Sequence, residues 1–480
     1  MSAIRKLTRI LKGHPRRIAA AALGALAVAA LALALVNVVY AKVNHFSLFT
    51  KSAGRTFRLE ISPEARKDLG PLIDKYARSH PELEIKYSGA DPDVIIASGK
   101  KAGFKATEVV ACPPLVLEAG KRTFTLREKR SYWFLTRKEG LLFEHDDAAV
   151  SDLEEYLAAY QDKLPEVRMT TVGDILPGRH VAEKMEKKGV DYPFKKIAPY
   201  VRDADIVYGD LECALSDRFD PPYSGMEFIA PKDTVKGLRL LGLDVVSVAN
   251  NHTTDFGLPS FTDTLKLLKD SGIKYAGGGN DYDEAHQPAV LESEGKRFAF
   301  LAYNSIIGSI DATNQDPGVA WISTDPYYPD DPAHIAKMED DIRKAKARSD
   351  FVIACFHWSR EDIYYPAPSM KNLTYAALDA GADMVLGSHP HTIQPIEYHD
   401  GRFIAYSMGN FVFDQMQRDQ TREGFFMKLT FKCDTPVTLT RIEMVPYKIY
   451  DYAQPVVLKG KAGQKVLDHV LEISGMGSDA

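Results

Sequence analysis

The longest run of apolar residues lies near the start of the chain. Residues Ile18 to Tyr40 carry no charge, and Asn37 is the only strongly polar side chain among them. As a helix with ~1.5 Å of rise per residue, this run covers about 34 Å, which is enough to cross a hydrocarbon core of ~30 Å. The pattern therefore predicts a transmembrane helix over residues 18–40.

The segment before this helix is strongly basic. Residues 1–17 contain six cationic side chains and no acidic one: Arg5, Lys6, Arg9, Lys12, Arg16 and Arg17. Basic flanks stay in the cytoplasm, so we expect a single-pass protein of the cell membrane whose main domains lie outside. Secretion after signal cleavage near Ala41 is disfavoured, because the apolar run exceeds the usual core of about 7–15 residues. A buried soluble helix is disfavoured too, because no comparable apolar segment exists to cover it.

Residues 42–165 show a different pattern, in which short strand-like runs and helical periodicity alternate. The strand-like runs are Thr56 to Ile61, Leu83 to Tyr87, Asp93 to Ala97 and Ser131 to Thr136, and the helical patterns are Pro63 to Ser79 and Ser151 to Leu164. The stretch from Gly99 to Arg130 is basic and irregular. The alternation predicts a small α/β domain. Its role is unknown, because no motif in it carries chemistry.

From Arg168 the chain repeats a strand, a polar turn and, in several places, a helix. The predicted strands are Met169 to Val172, Asp205 to Tyr208, Asp244 to Val248, Phe298 to Ala302, Phe351 to Phe356, Met384 to Leu386 and Phe403 to Tyr406, and the predicted helices are Asp233 to Leu241, Ser260 to Ser271 and Asp331 to Ala347. This alternation predicts a layered α/β fold for a main domain over residues 168–455. Gly424 to Tyr452 should form an antiparallel hairpin, and residues 456–480 a short helix and a frayed tail.

Composition and charge change this picture little. The 480 residues are 45% hydrophobic and 26% charged, with a net charge of −5. These values are typical of a globular protein and do not indicate a nucleic-acid-binding surface. The four cysteines are widely spaced and form no C-x-x-C pair, which excludes a zinc finger and a disulfide-dense scaffold. One or two disulfide bridges and buried free thiols both remain open.

Polar side chains follow five of the predicted strands at the point where each strand ends. They stand in the segments Val172-Gly173-Asp174, Tyr208-Gly209-Asp210-Leu211-Glu212, Ala249-Asn250-Asn251-His252, Cys355-Phe356-His357 and Gly387-Ser388-His389-Pro390-His391. Open α/β sheets bind ligands beyond the carboxyl ends of their strands. We therefore expect these side chains to converge on one point.

Six of these side chains form a mixed set of oxygen and nitrogen donors: Asp174, Glu212, Asn251, His357, His389 and His391. Such a set suits Mn²⁺, Zn²⁺, iron or Mg²⁺ rather than copper or an iron–sulfur cluster. The sequence therefore predicts a centre for one or two divalent metal ions. Two ions ~3.5–4 Å apart clamp the oxygens of a phosphoryl displacement and supply a hydroxide near neutral pH, so no nucleophilic Ser or Cys is required.

Each motif also has a purely structural interpretation. A Gly-Asp pair after a strand is usually a turn, and Asn-Asn-His before a helix is often an N-cap. His357 alone would more often be a core histidine with satisfied hydrogen bonds, and Trp358 is predicted to pack in the wall of the site. Their order at consecutive strand ends favours the metal centre.

Further residues extend these motifs into a family pattern. The segments are Gly173-Asp174 with Arg179, Gly209 to Glu212, Ala249 to His252 with Asp255-Phe256-Gly257, His357-Trp358 with Glu361, Gly387 to His391 with Gln394-Pro395, and Tyr406 to Gln415. From about Met169 to Met444 they resemble the CapA (PgsA) family of capsule and poly-γ-glutamate biosynthesis proteins. That family is related to the calcineurin-like metallophosphoesterases, so the resemblance implies a layered metallophosphoesterase-like sandwich.

The resemblance also implies roles for the site residues. The six donors correspond to metal ligands, with Glu212 in the bridging position. His252 corresponds to the histidine that protonates the leaving group or stabilises the transition state. Arg179 and Asn410 are expected to contact an anionic substrate.

Three further residues, Asp210, Asp255 and Glu361, are the candidate substrate-binding residues. The chain departs from the related phosphoesterases where they place a histidine two residues after the first aspartate, because Leu176 stands there. The bridging carboxylate is Glu212 instead of an aspartate. One metal position is therefore expected to be weak or empty. Asp210 replaces the asparagine more typical of the family, and this extra carboxylate would partly compensate.

Two functions fit this pattern. The first is a metal-dependent hydrolase or transferase that acts on an anionic polymer or phosphoester outside the membrane. The second is a non-catalytic subunit of a membrane complex for polyglutamate synthesis and export, which binds or guides the polymer. Both functions imply three partners: the membrane, other subunits of that complex and an anionic polymer. Neither function implies binding to nucleic acid. A solute-binding or sensor protein built on residues 42–165 is a third interpretation without residue-level support.

Overall fold

The computed structural model describes residues 55–62, 83–87, 94–97, 104–112, 114–127, 130–137, 164–324 and 329–476. The predicted segments 1–17 and 18–40, and the helical patterns that begin at Pro63 and Ser151, lie outside these ranges. Within them, no helix combines the length and the apolar character needed to cross a membrane. By its contacts the chain divides into two units, residues 1–114 with 128–164, and residues 115–127 with 165–480.

Strands and helices alternate through most of the described chain, which confirms the predicted α/β class. The strands are β1 Arg55–Ile61, β2 Leu83–Tyr87, β3 Val94–Ala97, β4 Phe104–Cys112, β5 Leu115–Ala119, β6 Arg122–Arg127, β7 Arg130–Arg137, β8 Glu166–Ile175, β9 Ile206–Leu211, β10 Ala214–Leu215, β11 Ile229–Ala230, β12 Val245–Ser247, β13 Lys274–Ala276, β14 Gly278–Gly279, β15 Ala289–Ser293, β16 Lys296–Asn304, β17 Gly318–Val319, β18 Phe351–His357, β19 Met384–Ser388, β20 Ile396–His399, β21 Arg402–Ala405, β22 Asn410–Val412, β23 Glu423–Lys432, β24 Thr438–Tyr450 and β25 Gln454–Val457. The helices are α1 Arg179–Lys188, α2 Ala198–Val201, α3 Thr234–Leu241, α4 Gly257–Asp270, α5 Tyr282–Ala285, α6 Pro332–Lys346, α7 Pro368–Ala380 and α8 Gly460–Ile473.

The smaller unit contains a five-stranded sheet in the order β2-β1-β3-β7-β4. Strand β1 runs parallel to β2 and β3, and β7 pairs antiparallel with β3 and β4. The prediction that Gly99 to Arg130 is irregular was wrong, because β4, β5 and β6 all lie within it. Strand formation there depends on partners distant in the chain, which local propensity does not reveal.

The hairpin of β5 and β6 belongs to the larger unit, although it lies inside the 42–165 segment. It turns at Gly120, whose φ of +62° is the left-handed conformation that glycine adopts at little cost. Strand β5 runs parallel to β24 and buries Leu115, Leu117 and Ala119 on one face. The period-two burial shows that one face of β5 is covered, and the strand order places the hairpin at the edge of the ten-stranded sheet.

Two extended sheets form the body of the larger unit. The first has ten strands, in the order β13-β12-β9-β8-β23-β24-β5-β6, with β22 paired to β8 and β25 to β24. The second has six, in the order β15-β16-β18-β19-β21-β20. The predicted hairpin of Gly424 to Tyr452 is confirmed as β23 and β24, which pair antiparallel.

The two large sheets pack face to face across an apolar layer. Tyr208 of β9 stacks on Phe300 of β16 with ring centroids 5.5 Å apart, and Phe298 meets Phe431 edge to face at 5.3 Å. Fully burying one side chain of this size contributes ~1.5–3 kcal/mol. This layer therefore holds the two sheets together.

Helices cover the outer faces of both sheets. Val207 points away from the layer between the sheets and packs in a cluster with Leu238 of α3 and Phe261 of α4. On the second sheet, Leu301 of β16 packs in the same way in a cluster with Ile342 of α6. The larger unit is thus layered as helices, sheet, sheet and helices.

Three of the four cysteines have described side chains: Cys213, Cys355 and Cys433. All three are buried and unbridged. The sequence left disulfide bridges and buried free thiols open, and these three cysteines are buried free thiols.

The strands that carry the predicted site residues are divided between the two sheets. Strands β8, β9 and β12 are parallel neighbours in the first sheet, and β18 and β19 are parallel neighbours in the second. Asp210 of β9 lies 2.9 Å from His357 of β18, so the carboxyl ends of both sets meet. The site residues converge from two sheets and not from a single one.

Candidate metal centre

Glu212 lies at the middle of the centre, directly after β9. It is fully buried, and neither of its carboxylate oxygens has a hydrogen-bond partner among the described residues. Three imidazole Nε2 atoms surround Oε1, at 3.8 Å from His357, 3.8 Å from His391 and 3.9 Å from His252. Buried polar groups are nearly always paired, so an unpaired carboxylate among imidazoles indicates a site for a cation.

An oxygen atom holds each of these three imidazoles at the opposite nitrogen. Nδ1 of His357 lies 2.9 Å from Asp210 Oδ2, and Nδ1 of His252 lies 2.8 Å from Asp255 Oδ2. Nδ1 of His391 lies 2.8 Å from Asn410 Oδ1. Since these oxygens accept hydrogen bonds, each Nδ1 carries the hydrogen and each Nε2 presents a lone pair to the centre. Metal-binding histidines are typically oriented in this way.

Asn251, which follows β12 of the first sheet, and His389, which follows β19 of the second, complete the donor set around His357. His357 Nε2 lies 2.9 Å from Asn251 Oδ1 and 3.1 Å from His389 Nδ1. With Nδ1 of His357 donating to Asp210, the Asn251 oxygen and His357 Nε2 are two acceptors in contact, a pair that binds a cation. His389 Nε2 is buried without a hydrogen-bond partner in the described part of the chain.

Asp174 joins the centre from β8. Its Oδ2 accepts a hydrogen bond from the backbone N–H of His389 at 3.3 Å and lies 3.3 Å from His391 Nδ1. One donor atom each from Glu212, His389 and His391 lies within 4.8 Å of the others, which is compact enough for one ion. The structure thus brings all six predicted ligands together, and their orphaned donors and mixed chemistry fit a divalent metal.

Burial raises the pKa of two carboxyl groups of the centre, Asp210 and Glu212. Burial raises the pKa of Asp210 to about 7, although hydrogen bonds from Asn250 and Ser388 oppose the shift. Burial, followed by the charges of Asp174 and Asp210, holds the pKa of Glu212 well above its usual range. A divalent cation is the group that would offset these like charges and keep the cluster ionised.

The imidazoles respond to burial in two ways. Burial lowers the pKa of His357 to about 3, and burial with the neighbouring imidazoles holds the pKa of His389 well below its usual range. Burial also lowers the pKa of His391. The hydrogen bond from His391 to Asp174 and the negative charge of Asp174 outweigh this effect, so the net shift of the pKa is upward. His357 and His389 are therefore neutral near pH 7, as metal ligands must be.

Close backbone packing at two glycines shapes the centre. A Cβ atom on Gly173 would lie 1.9 Å from the carbonyl oxygen of Gly409, and one on Gly387 would lie 2.1 Å from that of Tyr406. No side chain fits at these distances. The glycines therefore allow the segments that carry Asp174 and His389 to approach the chain around Gly409.

The other predicted site residues lie around this centre. Asn410 is buried, and its Nδ2 donates to Gln415 Oε1 at 3.1 Å, so its carboxamide is occupied on both sides. Glu361 is exposed, and its charge is one of those that raise the pKa of Glu212. Arg179 begins α1 and pairs with Asp414. The predicted contacts of these residues with substrate stay predictions.

Two apolar residues near the centre, Trp358 and Leu176, have packing roles. Trp358 packs in the wall as predicted, parallel to Phe356 at 4.7 Å. Leu176 is fully buried among apolar residues, so no imidazole enters the centre from that position.

Sequence reasoning missed three residues next to the centre: Phe228, Phe413 and Asp414. Asp414 and Phe413 lie in the motif Tyr406 to Gln415, which was a signal. Phe228 lies in none of the motifs. Its backbone N–H donates to Asp255 Oδ2 at 2.7 Å, a contact that only the fold reveals.

These features define a class: a layered α/β protein with a buried carboxylate–histidine centre between the carboxyl ends of its parallel strands. The family model described as "Bacterial capsule synthesis protein PGA_cap" matches residues 168–415, just over half of the chain. The chain belongs to this family, and the predicted membership of the CapA family is confirmed.

Individual relatives agree with this assignment. Over 253 residues the chain is 34% identical to "Capsule biosynthesis protein CapA" of Bacillus anthracis, which covers 52% of this chain and 60% of that protein. Over 300 residues it is 31% identical to "PGA biosynthesis protein CapA" of Bacillus subtilis, covering 62% and 75%. A Mycobacterium tuberculosis protein named "Probable polyglutamine synthesis accessory protein" is 33% identical over 227 residues, covering 45% and 58%. The chain thus spans less than two thirds of the B. anthracis relative.

Proposed function

We propose that this chain is a divalent-metal-dependent hydrolase or transferase of capsule or poly-γ-glutamate biosynthesis, acting on an anionic polymer or a phosphoester. The carrying observation is Glu212, whose two buried oxygens lack hydrogen-bond partners among the residues that the structure describes, while three imidazole Nε2 atoms lie within 3.9 Å of Oε1. If the site were purely structural, this carboxylate would stay unpaired, and its burial would cost free energy of folding. Family membership supports the biological setting.

Six side chains would hold the metal: Asp174, Glu212, Asn251, His357, His389 and His391. A bound divalent ion supplies a hydroxide near neutral pH and polarises the oxygen it contacts. His252 is the candidate proton donor to the leaving group, because Asp255 holds its Nδ1 and leaves Nε2 facing the centre. This role requires a hydrogen on Nε2 in addition to the one on Nδ1. The apolar Leu176 supports full occupancy of one ion more than of two.

The alternative is a non-catalytic subunit that binds or guides the polymer within a membrane synthesis and export complex. Leu176 favours it, because a ligand of the related phosphoesterases is missing at that position. The accessory role in the name of the M. tuberculosis relative points the same way. In either case we propose anchoring by residues 18–40, a cytoplasmic segment 1–17 and extracytoplasmic domains over 42–165 and 168–455.

Metal analysis of the whole 480-residue chain tests the proposal. The wild type should carry a divalent metal, and His389→Ala/His391→Ala should lose most of it. The matched control is His469→Ala on α8, an exposed imidazole that should leave the metal content unchanged. A metal-free wild type that still supports polymer formation would refute the proposal of a metal-dependent enzyme.

A second variant separates the two functions. His252→Ala should retain its metal and its fold, because the ring is not among the six ligands. If polymer formation is then lost, a purely docking role is excluded. If polymer formation is unchanged, the non-catalytic subunit is the better description.

A further inference from the structure

Two phenylalanine rings connect Arg179 to the imidazoles of the centre. The Phe228 ring stacks on His252, with centroids 3.7 Å apart and an interplanar angle of 26°. The guanidinium carbon of Arg179 lies 4.4 Å from the centroid of the same Phe228 ring. A cation at this distance from a ring face is attracted by its π electrons.

The second ring contacts the other imidazole, but at a steeper interplanar angle of 53°. Phe413 lies 5.8 Å from the Arg179 guanidinium and 4.7 Å from the His391 ring. The two phenylalanines also meet edge to face, at 6.4 Å and 87°. One guanidinium is therefore a single ring away from two of the imidazoles that face Glu212.

Arg179 itself is held firmly. Its guanidinium donates to Asp414 Oδ1 at 2.5 Å and to the carbonyl oxygen of Gly225 at 3.0 Å. Asp414 also accepts the backbone N–H of His180 at 3.2 Å, which ties the pair to the first turn of α1. The two side chains are only 12% and 4% exposed. Such a buried charge-assisted pair is geometrically specific.

The imidazoles need this support because hydrogen bonds fix only one of their nitrogens. Asp255 holds His252 at Nδ1, and Asn410 and Asp174 meet His391 at Nδ1. A ring held at Nδ1 can still tilt, and its Nε2 then moves relative to Glu212. Contact with a phenylalanine ring, stacked on His252 and inclined to His391, limits this tilt. Functional groups must be held within ~0.5 Å and 10–20° of the productive geometry.

We propose that Arg179 is a positioning residue of the metal centre, acting through Phe228 on His252 and through Phe413 on His391. It replaces the direct substrate contact that the sequence predicted for Arg179. The proposal deepens the function proposed above and rests on it only where His391 is taken as a metal ligand. Nε of Arg179 is buried and has no hydrogen-bond partner among the described residues.

The first test does not need metal. Hydrogen–deuterium exchange at the imidazole C2 position, resolved residue by residue by mass spectrometry, reports the environment of each histidine in the whole chain. Arg179→Met should speed exchange at His252 and His391 severalfold and leave His469 unchanged. Arg218→Met is the matched control, because Arg218 pairs with Asp263 on the surface, 50% exposed. Unchanged exchange at His252 and His391 in folded Arg179→Met overturns the proposal.

The second test reads the coordination of Co²⁺ by its visible absorption spectrum. Arg179→Met should change the spectrum and weaken Co²⁺ binding by roughly 10- to 100-fold, the usual effect of losing an outer partner. Arg179→Lys should not restore it, because an ammonium cannot span Asp414 and the rings as a planar fork does. Added guanidinium should partly rescue Arg179→Ala.

The outcomes separate this proposal from the proposed function. A wild type that binds no Co²⁺ counts against the metal centre, while the exchange experiment still decides the role of Arg179. If Arg179→Met keeps the wild-type spectrum and exchange but binds a short glutamate polymer more weakly, Arg179 is a substrate contact and the positioning role is refuted.

Discussion

The substitution Asp210→Asn replaces one carboxylate oxygen of the centre, a hydrogen-bond acceptor, with an NH₂ group, a hydrogen-bond donor. Asp210 accepts from Asn250 Nδ2 on one oxygen and from His357 Nδ1 on the other, both at 2.9 Å. A carboxylate accepts on both sides, whereas a carboxamide accepts on one side and donates on the other. In Asp210→Asn, one of the two partners therefore faces an N–H group.

Either orientation of the new carboxamide disturbs the centre. If its NH₂ group faces His357, Nδ1 must become an acceptor and the ring hydrogen moves to Nε2, the atom 3.8 Å from Glu212. That atom can then no longer bind a metal. If its NH₂ group faces Asn250, two donors oppose each other, and Asn250 Nδ2 keeps only the carbonyl oxygen of Leu211.

The expected magnitude follows from these two cases. Loss of an outer partner of a metal-binding histidine costs roughly 10- to 100-fold in affinity. That range corresponds to about 1.4–2.8 kcal/mol. In the metal-free protein, one buried donor without a partner costs ~1–3 kcal/mol of the free energy of unfolding. Asp210→Asn should show at least one of the two losses, the first where the NH₂ group faces His357 and the second where it faces Asn250, although asparagine is the residue more typical of the family.

Two measurements on the whole chain check this prediction. Competition against a chromogenic chelator gives the metal affinity, and urea unfolding gives the stability without metal. The control is Asp203→Asn, because the Asp203 side chain is 68% exposed and far less constrained. If Asp210→Asn binds metal as tightly as the wild type and is as stable without metal, Asp210 does not orient His357 as a ligand, and the reasoning is refuted.

Three further changes should have distinct effects. Gly173→Ala should lower the melting temperature and the metal content together, because its methyl group would lie 1.9 Å from the oxygen of Gly409; a variant as stable as the wild type contradicts this. Phe431→Ala should cost ~3–5 kcal/mol in urea unfolding, because it empties a fully buried position between the sheets. Asp451→Asn should cost less than about 1 kcal/mol at pH 7, since this ion pair is partly exposed. Hydrogen bonds from Lys184, Lys188 and Tyr192 hold the pKa of Asp451 below its usual range, so the difference should be full above about pH 4 and vanish as the pH falls further.

Local periodicity was enough to predict nine of the twenty strands described in the larger unit. The run Phe351 to Phe356 became β18, and Asp205 to Tyr208 became β9 shifted by a few residues. Both are short β-branched or aromatic runs bounded by polar turns, which is a local signal. Sheet membership was not predictable in this way, because the pairing of β24 with β5 joins residues more than three hundred positions apart.

The missed elements depend on distant contacts as well. Helix α1 begins without a side-chain cap of its own, and the N–H of His180 is satisfied by Asp414, which is remote in sequence. Helix α7 did have a local signal in Pro368 at its first position.

The candidate ligands were predictable because chemistry and position coincide at strand ends. The oxygens that orient the imidazoles were harder to assign, since their role depends on which ring they reach. Asp255 was expected near a substrate, yet its Oδ2 holds both His252 Nδ1 and the N–H of Phe228. Motif spacing gives the residue type at a strand end but not its partner across the centre.

The division of the ligands between two sheets has a thermodynamic consequence. Asp174 and Glu212 come from the first sheet, while His357 and His389 come from the second. An ion bound to both sets joins the sheets across their carboxyl ends, where the apolar layer that contains Tyr208 and Phe300 gives way to charged groups. Binding to the folded chain alone stabilises it by an amount that grows with the ratio of free metal to its dissociation constant. Metal affinity and the packing of the two sheets should therefore be coupled, so that loosening either one weakens the other.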